Sequence, residues 1–178
     1  MTNDPVFHYI ISFALSLLFL TSTWQKLQNM HEFRGILQSY QIVNEKLIAL
    51  AARVIPAVEL TVGAGLLIPQ TQTICCVLAV GLLLTYAIAM ALNIKRGNVN
   101  IDCGCSFGAL RQTISSGLVW RNIFLSVAAT SLLLPVGLRE TSYYDYGIIV
   151  FGAVQFSLLY LTANTLIDQQ LTSKELSL

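Results

Sequence analysis

The segment Asn100-Ile101-Asp102-Cys103-Gly104-Cys105-Ser106-Phe107-Gly108 holds the residues of this chain best suited to chemistry. Two cysteines at i and i+2 reach the Cα separation of a disulfide, about 4.4–6.8 Å, only through a tightly bent backbone. The intervening glycine permits bends that other residues resist. A bond closed in this way is strained, and strained or exposed disulfides have more oxidising potentials and exchange readily. Such a pair suits electron transfer better than structural bracing. Lys95, Arg96 and Arg111 lie nearby in sequence and favour the thiolate, the reactive form. Zinc ligation fits poorly, because Cys-x-Cys lacks the spacer of roughly two to four residues, and the only histidines, His8 and His31, lie far back in the chain. No metal is expected. Two incidental loop thiols are the plainer alternative. Cys75 and Cys76, by contrast, sit in an apolar run, where adjacent cysteines behave as small hydrophobes.

A second candidate is Glu59, which falls near the middle of an apolar stretch, three residues after Pro56. Ionisable groups at membrane depth are costly, and they pair, protonate or serve function. Glu59 is therefore a candidate for proton handling beside a redox pair. A structural partnership with Lys26, Arg53 or Arg121 has equal weight. Arg121 and Asn122 follow the cysteine loop and are candidates for stabilising a thiolate or a quinone carbonyl. Snorkelling of Arg121 to the headgroups is the simpler expectation.

The elements that must position these residues follow from composition. Of 178 residues, 55% are hydrophobic and 11% charged, with mean hydropathy +0.68, whereas soluble domains carry about 25% charged residues. So short a chain cannot wrap a water-soluble core in so little polar surface, so lipid is the solvent for much of it. Net charge is +1 and no basic patch is interleaved with aromatics, so nucleic acid is not an expected partner. The residues before Val6 lack a positive n-region, and the first apolar run reads as a retained span, not a signal peptide.

A crossing needs about 20 apolar residues. Spans are predicted over about 6–23, 47–68, 73–93, 118–138 and 144–167, with a partly amphipathic interfacial helix within 25–46 that carries Phe33, Ile36, Leu37 and Tyr40 at helical spacing. The fold class is thus all-α: a polytopic transmembrane bundle of about five spans. The count is four if the Pro56-bearing second segment or the Arg121-bearing fourth is not a full crossing. The whole chain, 1–178, reads as a single integral membrane domain. The continuous apolar runs lack the alternation of a membrane barrel. Trp24, Trp120, Tyr143, Tyr144 and Tyr146 read as interfacial belts, and Gly63-Ala64-Gly65 and Gly147 to Gly152 as small residues for close helix packing. With five crossings, Lys26, Arg34, Lys46, Arg53, Lys95, Arg96, Arg111, Arg121 and Lys174 share one side and only Arg139 lies on the other, which puts the cysteine loop in the cytoplasm.

Taken in order, these features resemble a known family. Lys26 after the first span, Phe33 and Tyr40, Pro56 with Glu59, Arg96-Gly97, the Cys103-Gly104-Cys105 loop with Phe107-Gly108, and Arg121-Asn122 are similar to the methylamine utilisation protein MauE family, in the broader MauE/DoxX group. The likeness covers nearly the whole chain, and the cysteine loop is its most specific part. Here Ser106 stands between Cys105 and Phe107, where the family pattern runs Cys-Gly-Cys-Phe-Gly. The resemblance implies a role in maturing the disulfide-rich small (beta) subunit of methylamine dehydrogenase, in a bacterial inner membrane. It also implies a thioredoxin-like, MauD-type partner and an exported protein substrate. An exported substrate calls for an outward-facing pair, against the charge count. By fold analogy alone, the bundle also resembles the vitamin K epoxide reductase and DsbB type, which makes a membrane quinone the cofactor to consider. The reading from another class is a non-enzymatic assembly or transport factor whose cysteine loop is structural or a docking site.

Overall fold

The computed structural model describes residues 4–99, 101–103, 113–137 and 142–175, with side chains up to residue 167. Those residues form an all-helical bundle. Helix α1 (Pro5–Gln28) starts where Asp4 accepts from the Val6 amide at 2.9 Å and Pro5 fills the first helical position, whose N–H would have no partner anyway. Helix α2 (Met30–Tyr40) ends at Gln41, which adopts φ +50°. It is followed by α3 (Glu45–Gly65), capped by Asn44 and containing Pro56, then α4 (Gln72–Lys95), α5 (Ser116–Ser131) and α6 (Tyr143–Glu175).

Four of these helices, α1, α3, α4 and α6, are long and apolar enough to cross a membrane. The fourth expected span is shorter than its apolar run suggested. Helix α5 has 16 residues, about 24 Å at 1.5 Å per residue, against roughly 30 Å of hydrocarbon. The chain leaves it through turns at Leu132, Leu133 and Leu134, directly before Pro135, which cannot continue the ladder. The last helix is longer than expected and takes in the polar stretch up to Glu175. The interfacial segment is the short helix α2. Trp24 and Trp120 are exposed at one end of the bundle and Tyr143, Tyr144 and Tyr146 at the other, as amphipathic rings at two membrane surfaces should be.

The main core joins Leu15 and Phe19 of α1, Val62 and Leu66 of α3, Cys76 and Leu83 of α4, and Leu125 and Ala129 of α5. Small residues let α1 and α3 approach closely: Ser16 Oγ donates to the Gly63 carbonyl at 2.6 Å and Ser12 Oγ to that of Leu66 at 2.7 Å. A side chain at Gly63 would press on Phe19 and Leu20. Gln72 extends this network, donating to Ser12 Oγ at 3.1 Å and meeting His8 Nε2 at 3.0 Å. Cys75 and Cys76 are packed as small apolar groups, with Cys76 Sγ 2.8 Å from the Ala129 carbonyl. A second, smaller core lies beneath α2 and gathers Tyr40, Met90, Cys103, Ile114 and Leu118. It sits at the base of the cysteine loop, where Asp102 and Thr113 form an antiparallel bridge and Ile114 N donates to the Ile101 carbonyl at 3.0 Å.

Candidate functional site

Helices α1, α3 and α4 bring their polar residues to one level of the bundle, just inside the end that carries the cysteine loop. Lys26 lies in the last turn of α1, where a cation also suits the helix dipole. Its ammonium donates to Glu59 Oε1 at 2.5 Å, and Tyr86 OH of α4 donates to the same oxygen at 2.6 Å. Lys26 and Glu59 are 4% and 1% exposed, so the pair is buried outright. Of the three cationic partners considered for Glu59, the structure selects Lys26. The ammonium also lies 5.3 Å from the Phe33 ring centroid and 4.9 Å from that of Tyr86, within cation–π range. Glu59 Oε2, by contrast, is buried without a hydrogen-bond partner among the described residues, a costly condition for a carboxylate oxygen.

Two cavities flank this cluster. The larger, about 130 Å³, is lined by Lys26, Phe33, Tyr40, Tyr86, Met90 and Cys103 among others, and its walls are almost wholly apolar. The smaller lies on the Glu59 side, against Ser22, Tyr86, Arg121, Asn122 and Tyr160. Tyr86 borders both. Cys103 is 6% exposed, and Tyr40 OH donates to its carbonyl oxygen at 3.5 Å. It is therefore an interior residue, where the polar loop sequence suggested a thiol open to another protein. Gly104, Cys105 and Arg111 lie outside the described residues. Lys95 and Arg96 are exposed at the end of α4.

Arg121 does not reach for the headgroups as expected. It donates to Asn164 Oδ1 of α6 at 2.5 Å and stacks 5.1 Å from the centre of the Tyr160 ring. Asn122 is buried, donating to the Leu118 carbonyl at 3.2 Å. The structure thus brings Glu59, Arg121 and Asn122 to one small cavity and Cys103 to its neighbour. Sequence reasoning passed over Tyr86 and gave Tyr40 no part in the site. The available signal was a tyrosine well inside the apolar run of α4, since a buried phenol usually has a hydrogen-bond partner.

Comparison with known proteins supports one family throughout. The family model described as methylamine utilisation protein MauE matches residues 4–135. The methylamine utilization protein MauE of Paracoccus denitrificans is 32% identical over 165 residues, covering 92% of this chain and 88% of that protein. Its counterpart in Paracoccus versutus is 34% identical over 167 residues, covering 92% and 89%. The one in Methylorubrum extorquens is 37% identical over 135 residues, covering 75% and 73%. No solved structure matches the chain. The arrangement described above, with its apolar membrane-crossing helices and buried Lys26–Glu59 pair, is therefore that of a multi-pass membrane protein, and the chain belongs to the methylamine utilisation protein MauE family.

Proposed function

We propose that this protein is a membrane thiol–disulfide redox protein in which Cys103 and Cys105 cycle between dithiol and disulfide. The observation that carries the reading is that Cys103 is buried against a cavity also lined by Lys26 and Tyr86, two members of the buried cluster around Glu59. With Cys103 covered, exchange begins at Cys105. A thiolate of a partner's dithiol attacks the Cys105 sulfur, a mixed disulfide forms, and Cys103 leaves as a thiolate. The partner's second thiol then closes its own disulfide and releases Cys105. Two electrons enter this chain, and the two protons lost by the partner's thiols balance those taken up by Cys103 and Cys105. Glu59, through its unpaired oxygen, is the group that holds a proton in transit. Arg121 and Asn122 are positioning residues that supply the polar wall of the small cavity it faces.

The partner is a thioredoxin-like, MauD-type protein. The pathway is disulfide maturation of an exported protein of methylamine utilisation, the methylamine dehydrogenase small subunit, served from a bacterial cell membrane. Incubating the full chain with a thioredoxin-like partner that retains one active-site cysteine should give a mixed disulfide, mapped by peptide mass spectrometry to Cys105. A link at Cys103 would reverse the order of events. No link at either position, together with full growth on methylamine of Cys103→Ser and Cys105→Ser strains, would overturn the reading in favour of a structural loop in an assembly factor.

A further inference from the structure

Helix α6 is the least covered of the four long helices. Its most apolar stretch is 11% buried, against 44% in α1 and 33% in both α3 and α4. Gln155 lies at the midpoint of the crossing Tyr143–Ile167, about 18 Å from either end of it. Its side chain is exposed and has no hydrogen-bond partner among the described residues. A glutamine is too short to carry its amide to the headgroups from that depth, as the long stems of Lys and Arg can. A carboxamide left in hydrocarbon without a partner is costly. Its direction also excludes a partner within the bundle. Ala153, Tyr160 and Asn164 are buried and turn α6 inward. Asn164 follows Gln155 by about two and a half turns, so Gln155 points the opposite way.

We propose that α6 is a dimerisation helix, which pairs in parallel with α6 of a second copy of this chain through Gln155. The residues around the amide fit such a pairing. Tyr144, Ile148, Phe151, Gln155, Leu158 and Thr162 follow one another at alternating steps of four and three, and all of them are exposed. A repeat of about 3.5 residues is the seam of a left-handed helix pair. Apolar contact alone gains little in a membrane, where lipid is equally apolar, and a polar side chain within the seam supplies what is missing.

The chemistry of the amide selects the partner. A carboxamide carries both donors and an acceptor, so it is complementary to itself. Copies of one chain share an orientation in the membrane. A two-fold axis along the membrane normal therefore sets Gln155 opposite Gln155 at equal depth, where each amide donates to the other. This contact uses the same patch on both copies and needs no further sequence. Lipid tails offer no such group, and a different protein would have to present one at the same depth.

The test measures energy transfer between full-length chains in phosphatidylcholine vesicles, labelled through a C-terminal tag with donor or acceptor. Transfer above that of an unrelated membrane protein at equal density is expected. Gln155→Leu should raise the dissociation constant about tenfold, as befits the loss of two interhelical hydrogen bonds. Leucine suits lipid better than glutamine, so thermal unfolding of this variant, held singly in phosphatidylcholine nanodiscs, should match or exceed wild type. In chains whose Cys103 and Cys105 are replaced by serine, oxidation should cross-link Phe151→Cys and Leu158→Cys each with its own copy. Val154→Cys and Leu161→Cys, exposed but off the seam, should stay single. Transfer no greater than crowding gives would overturn the proposal, as would undiminished association of the folded Gln155→Leu chain. So would cross-links at Val154 and Leu161 as efficient as those on the seam. Chains that stay single while a different membrane protein cross-links at Phe151 would also overturn it and assign this face to that protein.

Discussion

The Lys26–Glu59 pair shows what a single residue can and cannot announce. Glu59 stands out in sequence because a carboxylate in an apolar run demands an explanation. Its partner does not stand out, since Lys26 reads equally well as an interfacial anchor, and only the crossing of α1 and α3 decides between them. Removing one member of a buried ion pair strands the other charge, at a cost of about 3–5 kcal/mol. Lys26→Met and Glu59→Leu should each lower stability on that scale in thermal unfolding of the nanodisc-held protein. The double variant should recover most of the loss, because an apolar pair of similar volume strands nothing. Tyr86→Phe should cost less, about 1.5–3 kcal/mol for one hydrogen bond to a charged group. The burial of Cys103 was hidden for a related reason. Gly, Ser and Asp around it mark a loop, whereas its cover comes from Tyr40 and Met90, which are distant in sequence.

At the scale of elements, the helices were legible and their ends less so. Hydropathy reports where a chain tolerates lipid, and backbone hydrogen bonding decides where a helix stops. The apolar run that opens with Leu118 therefore outlasts α5, which ends before Pro135, and the polar residues after Ile167 continue α6. Helix α2 was legible in position, but not as a cavity wall: Phe33, Ile36, Leu37 and Tyr40, picked out by helical spacing, all line the larger cavity. The small residues of α3 were legible as packing positions, but sequence does not show what they pack against. Gly63→Val should force Phe19 and Leu20 aside and destabilise the protein by about 1–3 kcal/mol, the usual cost of overpacking. Gly81→Val, on a face of α4 with open space around it, should leave the melting temperature unchanged or slightly raised.

For the whole molecule, the all-helical membrane class followed from composition alone, since nothing else accommodates so few charges. Sidedness depends on where the charges lie. Lys26 leaves the count of loop charges because it is buried and paired. Arg34, Lys46, Lys95 and Arg96 remain at the end of the bundle that carries the cysteine loop, so the charge count still predicts a cytoplasmic position for that end. In protein whose Cys103 and Cys105 are replaced by serine, a membrane-impermeant maleimide should label a Val99→Cys chain only in inverted vesicles. A Gln70→Cys chain, altered in the turn between α3 and α4, should be labelled in intact cells. The opposite pattern would place the pair outside, within direct reach of an exported protein.

The network of His8, Ser12 and Gln72 has a mechanical consequence. It ties α1 to α3 and α4 at one extremity, and the Lys26–Glu59–Tyr86 contacts tie the same three helices near the other. A frame fastened at both ends resists splaying, so any local opening is expected first where the fastening is weakest. That place is the short α2, which is bounded by a break at Asn29 and a left-handed residue at Gln41.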